Sequence, residues 1–362
     1  MNSRERFRES LLFGNPDKVT LTSHFGPKES LVEKWRKQGL PPDDSYVRIH
    51  GIEHCERLPI NTGPLPRYRE EVMGELGGHK LIRNWLGQIV EHEKNPQLQD
   101  YQTRAWHDFP VKTRDDFEEM KWRYNPESPG RYHPFWDDMA RGYRDREYPV
   151  SFTFVSTFWR VRDWTGLKGL SAMFYRKPDL VHEMMDFWTD FIIRASERLL
   201  STVDVDYVLM SDDMAYKGRS MISPEMMREF MLDNYKKWVR HFKSHGVDII
   251  LMDSDGYIHE IAPVWVEAGI NVLVPMEVNA GNDILRLREE LGHEMAFMGG
   301  IDKLKIAAGG RALEREFESK VPRLIEDGGY IPCCDHYLPP NITYHNYCQF
   351  ISLLKKYCGW EV

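Results

Sequence analysis

The C-terminal half of the chain alternates short apolar runs ending in acid with longer stretches of helical periodicity. Asp206–Asp213 reads DYVLMSDD, and Ser223-Pro224-Glu225 then opens a helical pattern that runs to Gly246, with serine as N-cap and proline at the first helical position. Asp248–Asp255 (DIILMDSD) precedes a helix that stops at Gly269, and Asn271–Glu277 (NVLVPME) one that stops at Gly292. Met295–Asp302 (MAFMGGID) leads into a helical stretch closing at Gly328-Gly329, and Tyr330–His336 (YIPCCDH) into the helix Thr343–Tyr357. Five strand–helix units in series predict a parallel sheet covered by helices. Upstream, Val150–Phe158 reads as a strand, Gly166–Tyr175 and Leu180–Leu200 as helices, and Val19–Ser23 as a first strand with Glu29–Gln38 as its helix. Residues 60–150 are an irregular insertion rich in Trp, Tyr, Arg and Pro, with one alternating stretch around Lys80–Glu91 that reads as a hairpin. The expectation is a single-domain α/β protein, a (β/α)8 TIM barrel carrying that insertion. A doubly wound open sheet is the alternative, but no Gly-x-Gly-x-x-Gly fingerprint supports it.

Composition narrows the function classes. The 362 residues carry 48 basic and 56 acidic side chains, a net charge of −8, which gives no footprint for nucleic acid or an anionic membrane. The apolar runs have strand length and none approaches a membrane span. The N-terminal stretch places Arg4, Glu5, Arg6, Arg8 and Glu9 where a secretory peptide needs apolar residues, and the five cysteines form no disulfide framework. The expected setting is cytoplasmic.

Each of the five clear strands ends in ionisable residues: Asp212-Asp213, Asp253 with Asp255, Glu277, Asp302, and Asp335-His336. In a barrel the C-terminal strand ends share one mouth, so these groups are expected to converge. Carboxylates within hydrogen-bond reach share a proton, which raises one pKa and makes an acid usable near neutral pH. The Asp253-Ser254-Asp255-Gly256 turn is the strongest local candidate, because alternation points both aspartates to one side and Gly256 permits a tight turn. The competing reading for each residue is an ordinary cap or ion pair, most of all for Asp302-Lys303. Metal ligation competes for the cluster as a whole, with aspartate, His336 and Cys333 or Cys334 as zinc ligands and Asp255, Cys334 and His336 as the set if zinc is present, although the spacing matches no closed structural site. Lys217, His24, Tyr337 and Trp159 are the candidates for substrate contacts, with surface exposure or plain packing as the alternative.

The segments DYVLMSDDMAYKG, ISPEMMREF, GVDIILMDSDG, EAGINVLVPMEV, FMGGIDK and GGYIPCCDHYLPPNI resemble the uroporphyrinogen decarboxylase superfamily, within it the branch of corrinoid-associated methyltransferases and demethylases. The resemblance covers residues 150–360 and implies a single (β/α)8 barrel. Leu21–Gly39 lacks the Arg-Gln-Ala-Gly-Arg segment with which the haem-pathway decarboxylase receives its substrate's carboxylates. Asp253-Ser254-Asp255-Gly256 stands where zinc-dependent relatives carry His-x-Cys-Gly. The resemblance therefore implies a demethylase: a small methoxylated or methylated donor sits in the mouth, a corrinoid held by a partner protein accepts the methyl group, and the homodimers frequent in the family set the oligomer expectation. Asp253, Asp255 or His336 is then the acid, with Asp212 and Glu277 orienting the donor. Decarboxylation of a uroporphyrinogen-type tetrapyrrole is the second reading, and passive carriage of a corrinoid or porphyrin the third.

Overall fold

A computed structural model describes residues 1–41, 45–92 and 103–361. Two compact units divide the chain: residues 1–58, 142–153 and 203–362 form the first, and residues 59–141 and 154–202 the second.

The first unit is built on a curled parallel sheet of seven strands in the order Glu56–Arg57, Val150–Val155, Tyr207–Ser211, Ile249–Asp253, Val272–Val274, Ala296–Ile301 and Tyr330–Cys334. Alternate residues of five of these strands face one interior: Leu209, Ile249 and Leu251, Val272 and Val274, Ala296 and Met298, Ile331 and Cys333. All are nearly or fully buried, and each such aliphatic side chain contributes about 1.5–3 kcal/mol by leaving water. The opposite face of each strand packs under the helices, which explains why the strands read as continuous apolar runs. The helix Ser3–Leu11 starts with a capping box between Asn2 and Glu5 and adds Phe7 and Leu11 to the interior cluster. This is the α/β architecture expected, a (β/α)8-type barrel.

Several local expectations shift. Val19–Ser23 forms no strand ladder, because its polar groups turn elsewhere. The Val19 N–H donates to Cys358 O, the Thr20 N–H to Ser10 Oγ, and Leu21 O accepts from the Glu53 N–H. The single helix expected up to Gly246 is two, Pro224–Phe230 and Leu232–Ser244, broken at Met231. Two residues assigned to the strand Val150–Phe158 belong instead to the helix Thr157–Thr165.

The second unit contains an antiparallel sheet of four strands, Glu71–Leu76, His79–Arg83, Ile89–His92 and Thr103–Asp108. The expected hairpin is its centre. The first strand escaped the pattern because a register shift between Val72 and Gly74 breaks its alternation. Residues 93–102 of the insertion lie outside the described residues. Of the tryptophans there, Trp136 and Trp164 are buried, and Trp164 donates to the Tyr124 hydroxyl at 3.0 Å, whereas Trp106 and Trp122 are exposed. No helix among the described residues is long and apolar enough to cross a membrane.

Candidate active site

The strand ends of the first unit bring Asp212, Asp253, Asp255, Glu277 and His336 into one connected network. Its backbone is set by close approach. The Asp212 N–H donates to Asp253 O, and the Ser254 N–H to Val274 O. Gly256 holds φ +87°, and a Cβ there would stand 2.5 Å from the backbone carbon of Ala215. Its role is to let the 254–257 turn press on the hairpin Ala215–Ser220, a contact closed by the Tyr257 N–H to Tyr216 O bond.

Within this frame the acids have different partners. Asp255 Oδ2 lies 3.1 Å from His336 Nε2, with the two side chains 38 % and 20 % exposed. The Asp255 N–H is received by Asp213 Oδ1. The hydrogen bond to Asp255 raises the His336 pKa above its ordinary value, overcoming burial, which acts the other way. Asp255 Oδ1 is buried without a hydrogen-bond partner. Asp253 accepts from the Ser211 hydroxyl at 3.0 Å and stands 3.7 Å from His24 Nε2. Asp253 and Asp255 therefore do not form the proton-sharing pair that their spacing suggested, because each carboxylate has its own neighbours.

Asp212 is fully buried and accepts from the Tyr235 hydroxyl at 2.7 Å, which makes it part of the floor and not of the open mouth. Glu277 is bound by Lys303 Nζ at 2.8 Å and by the Gly256 N–H. Burial pushes the Glu277 carboxyl up, but Lys303, Gly256 and His336 together bring it below its usual value. Asp302 caps the helix Lys303–Ala308 by accepting from the Leu304 N–H, as the competing reading had it, while Lys303 enters the network itself. Asp335 is completely buried, accepts from the N–H groups of Val278 and Lys303, and is pushed up to about 6 by burial against the opposing charge of Lys303.

Aromatic rings flank the pair. Phe25 lies 5.0 Å from the His336 ring, 4.5 Å from Tyr337 and 4.3 Å from His24, so His24 and Tyr337 join the network through a residue the sequence did not single out. Lys217 is exposed at the hairpin turn and makes no hydrogen bond or ion pair among the described residues. Trp159 belongs to the second unit, where Arg162 covers its ring at 5.1 Å.

The zinc set does not assemble. Cys334 is buried beside Tyr347 and Leu354, and burial holds its thiol well above the ordinary value, so no thiolate is offered to Asp255 and His336. Cys333 is likewise pushed up to about 12. Among the described residues no three His, Cys, Asp or Glu side chains are grouped to hold a metal ion.

Beside the network the barrel interior holds an open-sided cavity of about 160 Å3. His24 belongs to both. Arg57, Thr22, Ser151 and Thr153 line the cavity wall, and Phe7, Leu251 and Met298 supply its apolar part. Sequence reasoning missed these residues because Glu56–Arg57 is too short a strand to show a period. It missed Tyr235, and named Lys303 only as the neighbour of Asp302 in an ordinary cap or ion pair, because nothing local marks a helix residue as the partner of a distant strand-end carboxylate.

No curated protein matches the chain. Among solved structures, a methyltransferase from Methanosarcina mazei superposes with a TM-score of 0.58 at 14% identity, covering 99% of each chain. The IOLI protein, solved with a bound zinc atom, reaches a TM-score of only 0.38 at 12% identity, over 62% of this chain and 83% of its own. The first likeness establishes the fold alone, and the second is too distant to bear on it. The family profile described as uroporphyrinogen decarboxylase (URO-D) matches residues 152–357, more than half of the chain and the segment that carries five of the seven parallel strands and most of a sixth. With its strand-end acids gathered on such a barrel, the chain belongs to the uroporphyrinogen decarboxylase family.

Proposed function

We propose that the protein is an enzyme that removes a methyl group from a small methoxylated or methylated donor and passes it to a corrinoid carried by a partner protein. The observation that carries this reading is the Asp255–His336 pair at the strand ends. A methyl ether is inert because its departing oxygen leaves as an alkoxide or phenoxide, and a positioned acid at that oxygen typically accelerates such steps by about 10²–10⁴-fold. Asp255 receives the Nε2–H of the His336 imidazolium and stabilises its charge, while Nδ1 has no hydrogen-bond partner among the described residues. The Nδ1–H is thus the proton available to the leaving oxygen. As the carbon–oxygen bond breaks, its electron pair stays on oxygen, the proton follows from Nδ1, and solvent returns a proton to the neutral imidazole. The partner's corrinoid supplies the nucleophile that takes the methyl group.

The acid in this reading is the histidine and not a carboxylate. Glu277 is neutralised by Lys303, and Asp212 is sealed beneath Tyr235, so both hold the site's shape. The decarboxylase reading asks the mouth to receive a polyanion, yet Asp213, Asp253, Asp255 and Glu277 stand at the strand ends, and Lys303 is already engaged by Glu277 and Asp335. The test is methyl transfer from methoxylated aromatics to reduced cobalamin or a corrinoid protein, followed by the loss of the reduced corrinoid's absorbance. His336→Ala and Asp255→Asn are expected to lose transfer while keeping the wild-type circular dichroism. Full turnover in both variants removes the mechanism.

A further inference from the structure

The interior cavity has a chemical bias that the acid network does not explain. On the strand Glu56–Arg57, the ladder pairs Arg57 with Ser151, and one step further along the same face of the neighbouring strand stands Thr153. Arg57, Ser151 and Thr153 all line the cavity. The guanidinium of Arg57 has no hydrogen bond or ion pair among the described residues. Thr153 Oγ1 is a buried hydroxyl without a partner. Ser151 and Thr22 are already engaged, by Glu56 O at 3.4 Å and by Cys55 Sγ at 3.6 Å, so of these four Arg57 and Thr153 are the two without a hydrogen-bond partner among the described residues. The lining includes one permanent cation and no carboxylate, in a unit whose strand ends are otherwise rich in acid.

A buried hydroxyl left unpaired costs about 1–3 kcal/mol, and Arg57, an exposed residue that also lines the cavity, offers a guanidinium fork with no carboxylate partner among the described residues. One anionic ligand group can pair with the guanidinium and satisfy the hydroxyl together. We propose that this cavity receives the carboxylate of the substrate, held by the Arg57 guanidinium with the Thr153 hydroxyl as a second donor. The substrate class is a small monocarboxylic acid. One guanidinium balances one negative charge, and no second cation is present for a phosphate dianion. At roughly 30 Å3 per water-sized share of volume, the cavity holds the equivalent of about five waters, enough for a compact acid with its hydrocarbon on Leu251 and Met298 and far too little for a tetrapyrrole. His24 lines the cavity and reaches Asp253 at 3.7 Å, so an acid anchored at Arg57 points its other end towards the strand-end network. This assignment rests on the methyl-transfer reading only for what happens at that other end; the binding itself does not depend on it.

Equilibrium binding to the full-length protein, measured by titration calorimetry without corrinoid, separates the two. Two isosteric pairs serve as probes, benzoate with benzamide and isobutyrate with isobutyramide, with inorganic phosphate as a further arm. At least one carboxylate is expected to bind more tightly than its amide, and Arg57→Gln should cut that carboxylate's affinity by roughly ten- to a hundredfold while sparing the amide. Arg57→Lys should restore part of the preference, and Thr153→Val should weaken it less than Arg57→Gln does. The assignment is overturned by amides binding as well as acids in both pairs, by a preference that survives in Arg57→Gln, by phosphate outcompeting both acids, or by no binding of any probe. Failure of methyl transfer with the carboxylate preference intact would instead count against the reaction alone.

Discussion

Replacing Asp255 by Asn tests the central pair without removing its geometry. The amide oxygen still accepts from His336 Nε2, so the ring keeps its place and loses only the charge opposite it. A hydrogen bond to a charged group contributes about 1.5–3 kcal/mol and a neutral one about 0.5–1.5. The Asp255 side chain is 38 % exposed, so solvent screening trims the difference to about 1 kcal/mol or less. In the wild type the folded state holds the imidazolium more firmly than the unfolded chain does. That contribution is fully present below the ordinary histidine value near 6.5 and fades as pH rises through the raised value of His336. Asp255→Asn is therefore expected to cost about 1 kcal/mol near pH 5.5, read from urea denaturation, and progressively less in alkaline buffer. By NMR, with His336 assigned through a His336→Gln spectrum, the titration midpoint should fall, because the Asp255 charge that overcame burial is gone and only Glu277 still opposes burial and Lys303. A midpoint that stays raised in Asp255→Asn, or a stability difference that grows with pH, refutes the pairing and with it the proposed acid.

Three further outcomes follow from the same network. Asp335 is pushed up to about 6, so its contribution to stability is complete below the ordinary aspartate range and is lost as pH rises through about 6; Asp335→Asn should lower overall stability yet flatten the decline between about pH 4 and 6 in thermal melts, and an unchanged slope would deny the burial cost. Gly256→Ala forces a side chain against the Ala215 backbone at φ +87°, combining backbone strain with overpacking, and should destabilise by roughly 2–5 kcal/mol in urea titrations; a cost under about 1 kcal/mol would mean the hairpin yields freely. Tyr235→Phe removes one donor to a fully buried carboxylate and should cost about 1–3 kcal/mol with little change in the barrel's circular dichroism, whereas a neutral effect would place Asp212 in contact with water.

The order of strands and helices was legible because both faces of a parallel strand are buried, so each strand is a continuous apolar run that stops where the chain reaches the mouth. That same stop marked Asp253, Asp255, Glu277 and His336 before any coordinates. The segment 19–23 has the apolar content of a strand but satisfies its backbone with Ser10, Glu53 and Cys358, partners no local pattern announces. The strand Glu71–Leu76 was hidden by its bulge.

Sequence alone determined that acids crowd the strand ends, since periodicity is a property of consecutive residues and survives without knowledge of neighbours. Which acid is a charged pair, which a sealed floor and which a lysine's counter-ion was decided by tertiary structure. Those roles depend on distances between residues far apart in the chain: 3.1 Å from Asp255 to His336, 2.7 Å from Tyr235 to Asp212 and 2.8 Å from Lys303 to Glu277. Protonation follows the sum of burial and nearby charge, and both are set only once the strands have curled around a common interior.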